Sequence, residues 1–192
     1  MKITTRELVY TAFFTALITV GAFIKIDIPL PLYTMHFTLQ WLFVLLAGLL
    51  LGKKLGAISV ITYILIGLMG VPVFAAGGGL SYVLRPGFGF LLGFVLAAYV
   101  MGFVSEKMNS TTFVQLLIPA SVGLILYYFI GAVYFYIIKN LYVGEMVSFS
   151  LIVVQYCLIT VIPDFILCIL AASFSAQLKP VINKYFDLKI VR

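Results

Sequence analysis

Residues 146–178 read MVSFSLIVVQYCLITVIPDFILCILAASFSAQL, and Asp164 is the only charged side chain among them. A helix needs about 20 apolar residues to cross a hydrocarbon core of roughly 30 Å, so this stretch predicts a membrane span. Five more uncharged runs precede it, at residues 8–24, 28–52, 55–84, 86–105 and 108–138. Such long unbroken runs favour helices over the alternating strands of a membrane barrel. The sequence therefore predicts an all-α membrane protein with six transmembrane helices.

The composition of the whole chain supports this prediction. Of its 192 residues, 64% are apolar and 9% are charged, and the mean hydropathy is +1.23. A soluble domain usually carries roughly a quarter charged residues, because its surface must stay hydrated. A soluble enzyme is therefore excluded, and so is a disordered chain. Since six helices use most of the length, we expect one integral membrane domain over residues 1–192.

The lysines and arginines predict the orientation, because cytoplasmic loops carry an excess of them. If the N-terminus is inside, the cytoplasmic segments hold Lys2, Arg6, Lys53, Lys54, Lys107, Lys179, Lys184, Lys189 and Arg192. The outer segments then hold only Lys25, Arg85 and Lys139. Both termini are therefore predicted to be cytoplasmic, and the net charge of +6 follows mainly from this bias.

Asp164 is the first candidate functional residue, because it lies near the middle of the last hydrophobic run. An ionised carboxylate there costs about 2.5–3.5 kcal/mol on insertion scales, so it should face a cavity or a partner. Pro163 removes one helical donor and frees the carbonyl of Ile159, which predicts a bend. The sequence leaves two interpretations open: a functional carboxylate, or one that only pairs with a neighbour.

The connection between spans 3 and 4 is the second candidate region. Gly77, Gly78 and Gly79 permit positive φ angles and close approach of backbone amides to a ligand. The side chains that follow offer apolar walls and one cation for an anion arriving from outside; they are Tyr82, Arg85, Phe88 and Phe90. A tight re-entrant turn that binds no ligand would use the same glycines, so this alternative also stays open.

The connection between spans 1 and 2 contains Pro29 and Pro31, which forbid a continuous helix there. Polar residues between and beyond the prolines need partners or water. His36 is one of them, and a hydrogen-bonded interfacial role is the commoner expectation for such a histidine than ligand binding.

Two patterns bear on partners and on energy. Ala12 and Ala16 lie four residues apart in span 1, so another helix can approach that face closely, either within this protein or in a partner. Residues 48–54, GLLLGKK, lack the glycine spacing and the Ser or Thr of a phosphate-binding loop. We therefore expect no ATPase site, and the single His and two Cys predict no metal site.

An ordered series of segments resembles a known family. It comprises Ile28-Pro-Leu-Pro, Phe37-Thr-Leu-Gln40, the glycine- and leucine-rich residues 44–60, residues 65–74 and residues 77–90. This series is similar to the BioY family, the biotin-specific substrate-binding subunits of energy-coupling-factor (ECF) transporters. The resemblance covers about residues 8–104, and more loosely residues 162–164. It implies a six-helix protein of the bacterial plasma membrane that binds a vitamin from outside and associates with a transmembrane coupling protein and two cytoplasmic ATPases.

The resemblance also implies roles for individual residues. Asp164 matches the carboxylate expected to accept hydrogen bonds from the ureido N–H groups, and Ala12 and Ala16 match the motif that docks on the coupling protein. Gly77, Gly78, Gly79, Tyr82 and the turn from Pro86 to Phe90 match the loop that covers the bicyclic ring. The predicted substrate-binding set is completed by Thr38, Gln40, Phe74, Arg85 and Phe88 from the matching segments.

The chain departs from the family pattern at Gly77, Leu91 and Leu167, positions that are polar in many members. Biotin is the expected ligand, with lipoate or dethiobiotin as alternatives, and no cofactor is expected. The rival from another class is an ion- or proton-coupled secondary transporter that uses Asp164 as its proton carrier. Such proteins usually show repeated halves and several intramembrane ionisable groups, which this sequence lacks.

Overall fold

The computed structural model describes residues 4–30 and 33–185, with side chains up to Ile182. Five apolar helical stretches in that part are long enough to cross a membrane. The first four contain α1 (Thr5–Phe23), α2 (Gln40–Leu68), α3 (Phe88–Lys107) and α4 (Phe113–Ile137). The fifth contains α5 (Phe149–Ile152) and α6 (Ile159–Tyr185). The predicted class, a helical multi-span membrane protein, is therefore confirmed.

Helix α2 changes direction at Gly52, where φ is 79° and ψ is −178°. The halves on either side pack against each other, because a Cβ built on Gly56 would lie 2.9 Å from both the Ala47 carbonyl oxygen and the Gly48 Cα. The two halves correspond to the second and third of the six hydrophobic runs. One non-helical glycine thus separates them where the sequence predicts a loop at Lys53 and Lys54.

The run at 28–52 enters its helix later than predicted. Its first residues belong to an antiparallel hairpin of β1 (Lys25–Ile28) and β2 (Met35–Thr38), in which Lys25 pairs with Thr38 and Ile28 with Met35. Pro29 lies just after β1, where its fixed φ and missing N–H suit a connection better than a helix. A small β element therefore precedes α2.

The last span contains the other departure from regular α-helix. A π-helical turn covers Val153–Leu158, between α5 and α6, and α6 continues through Pro163. The departure from α-helix therefore lies before Pro163, in the π-helical turn, and α6 stays helical across Pro163 although the proline has no N–H for the carbonyl of Ile159. A second π-helical turn, Ile138–Val143, follows α4.

Helix α3 lies between α2 and α4, and glycines bring the backbones together. A Cβ on Gly93 would lie 2.8 Å from the Tyr127 carbonyl oxygen, and one on Gly102 would overlap the backbone of Gly52 and Lys53. Such close approach is typical of membrane helices that associate through small residues.

One end of the bundle is basic, and we call it the basic end. Its defining contacts join Lys53 to Glu106, and Lys179 to Ser105 and Ser110. Tyr10 and Ile182, near the two ends of the described chain, pack against one apolar cluster there that includes Leu51 and Leu55. Of the cations that predict the orientation, Lys2, Lys189 and Arg192 lie outside the described residues, as does the side chain of Lys184.

Candidate ligand-binding site

A cavity of about 90 Å³ lies at the opposite end of the bundle, which we call the cavity end. The hairpin, the connection from α2 to α3 and the first turns of α3 line it, together with one residue each from α4 and from the π-helical turn before α6. Its lining residues are Tyr33, Met35, His36, Thr38, Gln40, Ala75, Tyr82, Gly87, Phe90, Leu91, Phe94, Phe135 and Tyr156. A mainly apolar wall with a few polar groups is typical of a small-molecule site.

The structure places the predicted residues in different positions around this cavity. Thr38, Gln40, Tyr82 and Phe90 line it directly. Gly87 also lines it and belongs to the predicted turn from Pro86 to Phe90, and so does Leu91, where the chain departs from the family pattern. Phe94, Phe135 and Tyr156 lie on helical segments without a distinguishing motif, so the sequence does not predict them. The sequence favours an interfacial role for His36, and in the structure its side chain also lines the cavity.

Asp164 is buried in α6, with 3% of its surface exposed. Two phenols from α4 hydrogen-bond to one of its oxygens: Tyr127 donates to Oδ2, and Tyr128 donates to the same atom over 2.6 Å. The Tyr128 hydroxyl also lies 2.9 Å from Oγ1 of Thr160, one helical turn before Asp164. A carboxylate offers about four lone-pair sites, so two phenols leave it able to accept further hydrogen bonds.

A layer of aromatic rings separates Asp164 from the cavity. The ring of Tyr127 lies 5.1 Å from that of Phe94 and 6.2 Å from that of Phe90, and both phenylalanines line the cavity. Trp41 stacks on Phe94 at 5.5 Å and lies 4.4 Å from Tyr127. A ligand in the cavity would therefore contact Asp164 only after a ring in this layer moves.

The tyrosine partners of Asp164 were absent from the sequence-based site. A signal for them exists, because a buried tyrosine hydroxyl usually requires a hydrogen-bond partner. Tyr127 and Tyr128 lie in a long apolar run, and Asp164 is the carboxylate found within another. What the sequence does not contain is the relative height of α4 and α6, which decides that these residues meet.

The glycine-rich connection is shaped by its own backbone. Gly77 and Gly79 have φ angles of +113° and +98°, at which the backbone of a residue with a side chain would be strained. The Gly77 N–H donates to the Phe74 carbonyl over 3.1 Å, and the Gly79 N–H to the Gly67 carbonyl over 2.7 Å. At Gly78, a Cβ would overlap the carbonyl of Val71. The three glycines therefore fix the path of the connection, and two of their amides are occupied within it.

Tyr82 carries the connection into the cavity wall. Its ring lies 4.5 Å from that of Phe74 and 6.4 Å from that of Phe88, and the Arg85 guanidinium lies 5.0 Å from its centroid. Burial raises the pKa of Tyr82 to about 12, so its hydroxyl stays protonated and can donate. Three predicted site residues therefore contact the ring of Tyr82 and are not among the described residues that line the cavity; they are Phe74, Arg85 and Phe88.

Gln40 presents an unused donor. Its Oε1 accepts a hydrogen bond from the Thr38 hydroxyl over 3.2 Å, while its Nε2 is buried without a hydrogen-bond partner among the described residues. A buried donor left unpaired costs about 1–3 kcal/mol. An acceptor on a ligand in the cavity would relieve that cost.

The hairpin contributes a hydrogen-bonded Asp–His pair at the same side. Asp27 and His36 are opposite each other in the strand register, and Nδ1 of His36 lies 2.6 Å from Oδ1 of Asp27. The other oxygen of Asp27 accepts a hydrogen bond from the Lys25 ammonium over 3.1 Å. The hydrogen bond to His36, followed by that to Lys25, holds the pKa of Asp27 below its usual range.

Ala12 and Ala16 lie away from the cavity, on the outward face of α1. Both are exposed, and Phe13 beside them is 57% exposed. The opposite face of the helix packs inward, where the Thr15 hydroxyl donates to the Ser59 carbonyl over 3.0 Å. The small-residue stripe is therefore open to a helix from outside this chain.

Comparisons with known proteins agree with this arrangement. A sequence model described as the BioY family matches residues 1–184. A probable biotin transporter BioY of Lysinibacillus sphaericus is 40% identical over 188 residues, which cover 98% of this chain and 94% of that protein. The biotin transporter BioY of Thermotoga maritima is 42% identical over 142 residues, or 73% of this chain and 78% of that protein. A crystal structure of the S-component for biotin from an ECF-type ABC transporter has a TM-score of 0.80 and 26% identity, covering 93% of this chain and 95% of that one.

Proposed function

The chain belongs to the BioY family, and from this premise we propose that it is the substrate-binding S component of an ECF-type importer whose ligand is biotin. It is a multi-pass integral protein of the bacterial cell membrane and a transporter subunit rather than an enzyme. The observation that carries the proposal is the aromatic cavity at one end of the bundle, with the buried carboxylate of Asp164 behind its wall.

The chemistry of biotin suits these groups. Its ureido ring offers two N–H donors and one carbonyl acceptor, and its bicycle and tail are apolar up to a terminal carboxylate. In our proposal, the ureido donors reach Asp164 after Tyr127 moves aside, and the ureido carbonyl accepts from Nε2 of Gln40. Without a ligand, the hydroxyl groups of Tyr127 and Tyr128 donate to the Asp164 carboxylate in the place of the ureido N–H groups.

Most of the affinity would come from apolar contact. Burial of apolar surface contributes about 25 cal/mol per Å², while the directional hydrogen bonds supply selectivity. The rings of Tyr82, Phe90 and Phe94 provide that surface on the α3 side of the cavity, and Tyr156 provides it on the side of the last span. The ligand needs no cofactor to bind in this way.

We further propose six spans, with the two halves of α2 counted separately and both termini in the cytoplasm. The reversal at Gly52 supports this count, because it returns the chain to the cavity end before α3. The basic end then faces the anionic inner leaflet, and the cavity opens outward.

The proposed partners are a transmembrane coupling protein and two cytoplasmic ATPases, which would supply the energy for transport. The exposed stripe of Ala12 and Ala16 is the proposed docking face for the coupling protein. Replacing both alanines by Trp should abolish co-purification with the coupling protein while leaving biotin binding intact. Trp at Ile125, an outward position on α4, is the control that should preserve both. Retained co-purification of the alanine variant would reject this docking face.

Calorimetry of the purified protein tests the ligand and the role of Asp164. We expect biotin to bind, and Asp164→Asn to weaken it about 10- to 100-fold, as expected for loss of a hydrogen bond to a charged group. Glu106→Gln removes a carboxylate at the basic end and should leave the affinity unchanged. A folded protein that binds dethiobiotin or lipoate but not biotin would reject the named ligand. Unchanged affinity in Asp164→Asn would reject the assigned role.

A further inference from the structure

The cavity wall offers few groups that could bind the carboxylate of an acidic ligand. Among the lining residues that the structure describes, His36 is the only basic side chain. The guanidinium of Arg85 lies over the ring of Tyr82 and is not part of that lining. An ionised carboxylate that leaves water for an apolar cavity needs a cation or several donors. The groups available near the mouth therefore decide how an acidic ligand is held.

The imidazole of His36 is held in a defined orientation. Nδ1 of the ring lies 2.6 Å from Oδ1 of its strand partner Asp27, and the Lys25 ammonium donates to Oδ2 of Asp27 over 3.1 Å. The ring of Tyr33 meets the imidazole edge-on, with 6.4 Å between centroids. The His36 side chain is 18% exposed and that of Asp27 is 47% exposed, so the imidazole lies between the solvent-facing carboxylate and the cavity.

This arrangement leaves one ring nitrogen for a ligand. The hydrogen bond between His36 and Asp27 uses Nδ1, so Nε2 is the ring nitrogen that the pair does not use. In a neutral imidazole with Nδ1 protonated, Nε2 is an acceptor and repels a carboxylate. In the imidazolium both nitrogens donate. Only the protonated form can therefore bridge Asp27 and an anionic ligand.

We propose that His36 is the specificity-determining residue for the ligand's carboxylate: its imidazolium donates from Nδ1 to Asp27 and from Nε2 to the carboxylate at the cavity mouth. This rests on the proposed function, since it requires an acidic ligand in this cavity. Binding is then linked to a proton, which the imidazole takes from solvent when it is neutral beforehand.

The other ionisable groups near the imidazole do not reverse this linkage. From the hairpin and its connection, Asp27, Lys25 and Tyr33 face it; from the glycine-rich connection and the last span, Tyr82 and Tyr156 share the cavity. Asp27 stays ionised because its pKa is lowered, and Tyr82 keeps its proton because its pKa is about 12. The imidazole is therefore the group beside the cavity that can gain a proton when an acidic ligand binds.

The test compares biotin with its uncharged carboxamide by calorimetry at pH 6, 7 and 8, in buffers of different ionisation enthalpy. For wild type we expect biotin affinity to fall with rising pH, by at most about tenfold per pH unit for one linked proton. Proton uptake of up to one per biotin should accompany binding near neutral pH. The carboxamide should bind with no pH dependence.

His36→Gln keeps a neutral donor and removes the titration. It should bind biotin about tenfold more weakly at pH 6, with no proton uptake, and should bind the carboxamide as wild type does. Asp27→Asn should retain the pH dependence but shift it to lower pH, because the imidazolium loses its anionic partner. A purely structural histidine would weaken both ligands equally.

The outcomes separate this inference from the proposed function. If wild type binds biotin and His36→Gln shows the same pH profile, the role of His36 is rejected and the function stands. The same conclusion follows if the carboxamide shows the pH dependence of biotin. If folded wild type binds neither compound at any pH, the proposed function fails and the role of His36 fails with it.

Discussion

The two ends of the bundle use polar groups in opposite ways. At the basic end, Glu106 accepts from the Lys53 ammonium and from the Lys53 backbone N–H, each at 2.9 Å. Lys179 is buried and donates to the Ser105 hydroxyl and the Ser110 carbonyl, at 2.7 Å and 3.0 Å. At the cavity end, Nε2 of Gln40 has no hydrogen-bond partner among the described residues. These two ammonium groups of the basic end are therefore bonded within the chain, although Oγ of Ser110 there also has no partner among the described residues, whereas the unpaired donor of the cavity end lies in a cavity wall.

Backbone packing shows the same contrast. Gly102, near the basic end, faces the backbone of Gly52 and Lys53, which cannot move away without disturbing the reversal of α2. Gly87, which lines the cavity, faces the flexible side chain of Tyr33, and a Cβ there would lie 3.5 Å from Cε1. At these two positions, a main-chain contact closes the basic end and a side chain that can adjust closes the cavity end.

Adding one methyl group at Gly102 and at Gly87 should give the largest difference between the two ends. We expect Gly102→Ala to destabilise the protein by about 1–3 kcal/mol or more, because overpacking against backbone forces the helices apart. Gly87→Ala should change stability by less than about 0.5 kcal/mol, since its Cβ makes an ordinary contact and its φ is negative. Thermal unfolding of both variants in one detergent checks the pair. Equal losses would show that the two ends are equally rigid.

The contrast also explains how much the sequence could predict. The positions of the spans follow from apolar runs, and the burial of Asp164 follows from its isolation in one of them. These depend on local composition, which the bilayer translates directly into structure. The separation of the second and third runs was likewise visible from Lys53 and Lys54, although the reversal uses a single glycine in place of a loop.

The cavity end was less predictable because its contacts are non-local. The meeting of Tyr127 with Asp164 depends on the relative height of α4 and α6, and that of Asp27 with His36 depends on strand register. Neither quantity is encoded in hydropathy. The glycines of the connection were found from the sequence, but their amides bond within the connection, which only the folded backbone shows. Long-range pairing therefore marks the limit of the sequence-based site.

A smaller effect is expected from removing one lysine at each end. Lys179→Met leaves the Ser105 hydroxyl and the Ser110 carbonyl without their buried donor, so we expect a loss of about 1–3 kcal/mol. Relief from desolvating the ammonium opposes this loss and keeps it at the lower part of that range. Lys25→Met removes a pair whose carboxylate is 47% exposed, so it should cost less stability than Lys179→Met. Added salt should shrink the Lys25 effect and spare that of Lys179, because screening acts on exposed pairs. If unfolding measurements instead gave Lys25→Met the larger loss of stability and the stronger salt dependence, the cations that stabilise the fold would be those of the cavity end. The distinction between a basic end held by internal pairs and a cavity end left open to a ligand would then be wrong.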